Sequence, residues 1–474
     1  MALESLARYT HLQLQQQPKK QSSNNKRKRI HLQFLKAKLL AISGQFTLAL
    51  SEYEDLLETF EEDVERQMKQ HQRSELERGV SVIDGAATLT GVGLTKLLLL
   101  LHNQPGEENN QDNATSSAQE IIEAIETSTD MLLESRRDAL RSPKHAELAV
   151  DLGIAASISL TNLGVANCLL GNKVQSIEQW KQGLDTLDTL LGDAMNTATI
   201  IPRHKFMWME SARARLHCDI ACLLLGLIDS SSSSTKAKQL DDDTLKHASE
   251  AAKKGLDIYD ELINGAKILR GENGNDDTQN ANDDDPNDDD DDDDDDDENK
   301  KEWERILKEE VKKKQDNDDA DTPPEISLSP LWIDYHRCES ARALGLVAHC
   351  YAQAGAAVTS EGLFQSALDA SSSYPFGQSL RRNSSVVDGD GKGVALSSPN
   401  LGLIARDVRL WYAMLCNNWE KRKGDADRLL ADAEKIDKDM IFQGYSKEEE
   451  NKHSVPGMIS SLWLFNPIDF ERKY

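Results

Sequence analysis

The chain is short of the residues that build sheets. Aromatic residues are 5% of its 474 positions. Nowhere do polar and apolar residues alternate for long enough to mark a half-buried strand. These shortages exclude a β-sandwich or barrel and leave a core of Leu- and Ala-rich helices. The six cysteines (Cys168, Cys218, Cys222, Cys338, Cys350 and Cys416) are scattered and form no CxxC pair. That excludes a disulfide framework and implies reduced thiols in an intracellular protein. Long apolar runs are missing too. Leu89–Asn103 is the most apolar stretch, but Lys96 interrupts it. It is shorter than the ~18–20 apolar residues of a membrane span, so it is read as a buried helix. The N-terminal "MALESLARYTHLQLQQQPKK" has no long apolar core of a secretory signal. The expected location is cytoplasmic, nuclear or both.

Catalytic signatures are absent as well. No Gly-x-Ser-x-Gly, His-Glu-x-x-His or dinucleotide fingerprint occurs. "TGVGLTK" (Thr90–Lys96) lacks the Gly-Lys-Ser/Thr ending of a phosphate loop and lies in a helical stretch. "DGDGKGVALSSP" (Asp388–Pro399) has Lys392 where a calcium loop needs an acid, and Pro399 where its closing Glu belongs. Cys218 and Cys222 share a helix face with His217 beside them, and His336, Cys338, His349 and Cys350 are further metal-ligating types. Small thiols packed between helices are the preferred reading. No catalytic, cofactor-binding or metal residue is therefore expected, and the chain is read as a non-enzyme.

Positive charge is scarce overall. The net charge is −27, and Asp276–Glu298 alone holds 15 Asp and one Glu with no Lys or Arg. Such a balance argues against neutralising nucleic-acid phosphates. Like charges and the lack of anything apolar keep that segment from packing a core. It is read as a solvated spacer or as an electrostatic lure for a basic partner, such as a histone-like or ribosomal protein. "NKKEWERILKEEVKKKQ" (Asn299–Gln315) follows as a short charged helix, with acids before its start and lysines at its end.

What remains is helical. Apolar residues recur at helical spacing from Ile30 onward, broken by glycines and polar loops. The expected organisation is a polar, basic tail over 1–29, helix pairs over 30–265, the acidic insertion over 266–325, and further pairs over 326–474 with a disordered loop near 371–400.

One spacing recurs. Gly164, Gly171, Ser176, Trp180 and Gly183 lie at successive offsets of seven, five, four and three. Ala37, Gly44, Ala49, Tyr53 and Leu56 repeat those offsets, as do Ala348, Gly355, Ser360, Phe364 and Ala367. The central glycine suits a helix end that a side chain disfavours. The small residues let two helices approach, and the aromatic fills the space beside them. A fourth, broken copy is suggested by Gly226 with Ala248, Ala252 and Gly255.

This small–Gly–small–aromatic pattern resembles the tetratricopeptide repeat (TPR). The spacing departs from the family's unit of about 34 residues, since Gly44 to Gly171 is 127 and Gly171 to Gly226 is 55. The resemblance implies an all-α, TPR-like solenoid of antiparallel helix pairs whose concave face binds a peptide or helix. Some relatives clamp a terminal carboxylate with Lys, Arg and Asn on the first helices. Among the matching positions here (Phe34, Lys38, Asn162, Val165, Arg342 and Gly345) only Asn162 and Arg342 have suitable side chains, and they lie far apart.

Two short signals complete the reading. "KRKR" (Lys26–Arg29) is similar to a nuclear import signal. "RRNSSV" (Arg381–Val386) is similar to a basophilic-kinase site with Ser384 as acceptor. The favoured function is a protein-interaction scaffold or adaptor without cofactors. The alternatives are an acidic chaperone that works through the Asp tract and, third, an enzyme with a site between helices.

Overall fold

The computed structural model describes residues 23–42, 45–70, 75–102, 111–141, 143–196, 203–227, 240–269, 330–371 and 399–439. Gly44, the acidic tract 276–298, the segment 299–315 and Ser384 lie outside these residues. The chain is all-α: the described residues form twelve α-helices and two 3₁₀ turns, with no strand.

The helices are α1 (Ser23–Ile42), α2 (Phe46–Gln70), α3 (Glu75–His102), α4 (Gln111–Ala139), α5 (Ala146–Leu169) and α6 (Lys173–Asn196). They continue as α7 (Arg203–Leu224), α8 (Asp242–Leu269), α9 (Pro330–Gln353), α10 (Ala357–Ser371), α11 (Pro399–Asn417) and α12 (Lys423–Asp439). One start corrects the sequence reading. α1 begins at Ser23, so the basic Lys26–Arg29 is helical where a tail over 1–29 was expected. Neither Gly nor Pro interrupts Ser23–Ile30, and Lys and Arg are good helix formers.

Each helix packs on the next along the chain. Paired contacts run in opposite directions, as antiparallel neighbours require. In α5 and α6, Gly153 faces Leu190 while Gly164 faces Trp180. In α9 and α10, Ser360 Oγ donates to the Ala348 carbonyl at 2.7 Å, while Cys338 Sγ lies 3.6 Å from the Ser371 carbonyl. The odd-numbered helices also touch one another: α1 with α3, α3 with α5, α7 with α9, and α9 with α11. Lys205 at the start of α7 closes the remaining step through Asp151 of α5, at 2.6 Å. Among the described residues the odd-numbered helices are thus linked to one another from α1 to α11.

The glycines set the turns. Gly171, Gly226 and Gly355 have φ of +89°, +67° and +82°. Nothing lies within 4 Å of a Cβ built on any of the three, so the backbone conformation alone demands glycine there. Each closes a Schellman turn, in which the next amide donates five residues back: Asn172 to Asn167, Leu227 to Cys222, Ala356 to Tyr351. Gln45 donates to Leu40 in the same way. At the other end of a helix, Asp241 caps α8. Its carboxylate accepts from the Thr244 amide at 2.8 Å, and this bond lowers its pKa.

The remaining repeat positions are inside. Ala37, Ala49, Tyr53, Leu56, Gly164, Ser176, Trp180, Gly183, Ala348, Ser360, Phe364 and Ala367 are all buried. A Cβ on Gly164 would lie 2.3 Å from Nε1 of Trp180, so only glycine admits the indole. Trp180 Nε1 donates to the Thr161 carbonyl at 3.2 Å. Gly183 turns toward Leu216 of α7, and Ala367 packs with Ile404 and Val408 of α11, where the following pair begins. Phe364 stacks on Tyr412 of α11 with centroids 5.2 Å apart.

α5 lies at the centre, with every side chain from Asp151 to Cys168 buried. Ala146–Leu169 and Val82–Leu101 are each long and apolar enough to cross a membrane, but 94% and 67% of these windows pack inside the helical array. The second includes most of Leu89–Asn103 and reaches further toward the N-terminus than that stretch.

Candidate functional site

Two features of the interior bear on function, and they lie in different places. The first is a cavity of about 40 Å³ between the first helices of the array. Phe34 (α1), Tyr53 (α2), Ala87, Thr90 and Gly91 (α3), Ser128 (α4), and Ser159 and Asn162 (α5) are among its lining residues. Its volume would hold about one to three waters, or the tip of an apolar side chain.

Small residues create this space. A Cβ on Gly91 would lie 2.6 Å from the Tyr53 ring, so the glycine lets the phenol lie flat on α3. Phe34 meets Tyr53 edge-on at 5.6 Å. Burial pushes the Tyr53 hydroxyl well above its ordinary pKa, which keeps it protonated. Along the floor, hydroxyls replace methyl groups and join three helices. Thr90 Oγ1 and Ser128 Oγ are 2.8 Å apart, and Ser128 donates to the Ala86 carbonyl at 2.8 Å. Thr129 and Ser159 share a bond of 2.8 Å. The floor is polar, but hydroxyl pairing largely satisfies it, so the space above keeps an apolar character.

The second feature is a buried ionic cluster on α7, α9 and α11. Arg342 Nη1 donates to Asp219 Oδ1 at 2.6 Å, and Arg215 pairs with Glu339. Ser211 Oγ donates to Glu339 Oε2 at 3.1 Å, and His336 Nδ1 lies 3.4 Å from that oxygen. Arg406 and Asp407 pair beside them at 2.6 Å. Each Arg here has an acid of opposite sign, as buried charges require. Helical spacing explains the set. Ser211, Arg215 and Asp219 recur every four residues on α7, and His336, Glu339 and Arg342 every three on α9.

The cluster holds its titratable groups away from acid–base or nucleophilic work. Burial pushes the thiols of Cys218 and Cys222 up to about 12, so both stay protonated near neutral pH. Burial, with the Arg215 charge, lowers His336 to about 3; His349 and His217 fall to about 4 for the same first reason. These imidazoles are neutral at pH 7. Among the described residues no three His, Cys, Asp or Glu side chains are placed to hold a metal ion.

The groove residues named from the sequence are placed differently from an open clamp. Asn162 is fully buried and lines the cavity; Arg342 is buried with its charge on Asp219. They sit in the two separate features and do not converge. Both fail as surface ligands because their helices are enclosed on more than one side. Val165 is also buried, Gly345 packs on Trp411, and Phe34 joins Asn162 at the cavity. Sequence reasoning missed Arg215, Asp219 and Glu339. The legible signal was charge inside apolar stretches such as "HCDIACLLL".

No protein-family model and no curated protein matches this chain.

Proposed function

We propose that the chain is a non-enzymatic interaction scaffold, a TPR-like array of helix pairs that binds a peptide or helix of a partner protein on the side of its odd-numbered helices. The observation that carries this reading is the cavity opening among α1, α3 and α5, lined by Phe34, Tyr53 and Asn162. Odd helices touch odd helices along the chain, and in stacked helix pairs the helices that line up in this way face the concave side. The cavity admits one apolar side-chain tip, with Phe34 and Tyr53 as its aromatic wall. The interior charges support the same reading: they pair with each other and brace helices, which suits a rigid binding surface.

Peptide display against the full chain tests this. Selected peptides carry one apolar anchor, and Ala87→Trp, which fills the cavity, weakens their binding at least about tenfold, the worth of one buried anchor. Peptides that bind the filled variant equally well would overturn the cavity as the site.

The acidic tract supports a second element of binding. Fifteen Asp in one segment attract a cationic partner by field alone, in a strongly salt-dependent manner. Deleting 276–298 separates the two readings. If capture of basic proteins is lost while peptide binding persists, scaffold and lure act side by side; if basic proteins bind unchanged, the chaperone reading fails.

A further inference from the structure

The chain before the acidic tract and the chain after it meet along one seam. α9, the first described helix after the tract, packs on both α8 and α7. The apolar core is continuous across it, from Tyr259 and Leu262 of α8 to Ala343, Leu346 and Val347 of α9. Tyr259 faces His336 with centroids 6.3 Å apart, and Lys253 lies over the Tyr351 ring at 6.0 Å.

Two ion pairs cross the seam with opposite polarity. Arg215 of α7 pairs with Glu339 of α9, and Arg342 of α9 pairs with Asp219 of α7. All four side chains are 8% exposed or less. The order along both helices matters. α7 presents plus then minus, and α9 presents minus then plus. Sliding α9 by one turn one way sets Asp219 against Glu339; sliding it the other way sets Arg215 against Arg342. Either slip buries like charges together, so one register is accepted and its neighbours are rejected. Polar residues buried in helix interfaces fix register in this manner.

We propose that this seam is a self-recognition interface whose partner is the chain's own C-terminal part, and that it holds without the covalent link. A chain cut within 276–298 stays assembled, with residues 23–269 keeping 330–439 in a single register. The acidic segment is then a place where the chain tolerates cutting without losing its fold. This holds whether or not the scaffold reading is right.

The test uses the full chain with a site-specific protease sequence in place of residues 288–294. After complete cutting, size-exclusion chromatography with light scattering is run at low and at 0.5 M salt. The two pieces are expected to elute together at the mass that the uncut protein shows in the same run. Arg342→Asp weakens their association by about a hundredfold or more, the effect of leaving a buried acid without its base. Asp219→Arg added to it restores co-elution. Arg215→Glu with Glu339→Arg gives the same pattern at the other pair. Where Arg342→Asp alone does not fold, the double reversal decides: co-elution of its cut pieces supports the key. Four results overturn the proposal: separation of the cut wild-type pieces, co-elution at twice the mass of the uncut protein, an Arg342→Asp chain that holds as tightly as wild type, or a double reversal that neither folds nor co-elutes.

Discussion

Gly164→Ala is the sharpest perturbation of the repeat's packing. One methyl group is added in mid-helix, where alanine is normally favoured over glycine by up to about 1 kcal/mol. Here the new Cβ would lie 2.3 Å from Nε1 of Trp180 and 2.5 Å from its Cδ1. The indole is fully buried and tied to the Thr161 carbonyl, so it has no free space to enter. Overpacking a closed core costs about 1–3 kcal/mol. The net effect is a loss of about 1–2 kcal/mol once the helical gain is subtracted. Gly362 provides the control. It is exposed on α10 with nothing within 4 Å of its Cβ position, so Gly362→Ala should stabilise by up to about 1 kcal/mol. Urea unfolding followed by circular dichroism measures both. In a Trp180→Ala background the clash disappears, and Gly164→Ala should become neutral or favourable. A Gly164→Ala protein as stable as Gly362→Ala, or a Gly164→Ala loss that persists without the tryptophan, would refute the packing argument.

Other outcomes follow from the same structure. Gly171→Ala places a side chain at a φ of +89° and should cost about 1–2 kcal/mol despite open space around it, measured by the same unfolding. Asp219→Ala strands Arg342 in the interior and should cost about 3–5 kcal/mol, whereas Asp219→Leu with Arg342→Met should recover most of that loss. His217, His336 and His349 have native pKa values below their ordinary 6.5, so the unfolded chain binds more protons below that pH. Stability is therefore flat above about pH 6.5 with respect to these groups. It falls as pH drops toward 4, by up to about 1.4 kcal/mol per pH unit per histidine; urea midpoints across pH 4–8 read this, and a stability rising toward acid would contradict it. Cys218 and Cys222, protonated and buried, should resist alkylation in the native state at pH 8 and react only on unfolding, as mass spectrometry would show.

The helices were legible because their signals are local. Apolar spacing and glycine breaks placed a helix on either side of Gly171 and of Gly355, where α5 and α6, and α9 and α10, lie. The start of α1 was missed because "SSNNKRKR" carries no apolar stripe; charge and polarity read as tail, although the residues suit a helix. The site was less legible for a different reason. Whether Asn162 or Arg342 faces solvent depends on which helices come to lie on α5 and α9, and that is decided by contacts more than a hundred residues away, such as Arg342 with Asp219. The cavity arises in the same non-local way, from Gly91 opposite Tyr53 and from hydroxyls on three helices. The acids matching buried Arg215 and Arg342 lie beyond an insertion, so spacing along the chain could not pair them.

Hydrogen exchange on the full chain, with and without a selected peptide, tests the central claim most directly. Bound peptide should slow exchange in α1, α3 and α5, in the segments that contribute Phe34, Thr90, Gly91, Ser159 and Asn162, and leave α10 and α12 unchanged. Protection confined to α8–α12 or to the acidic tract would contradict the account.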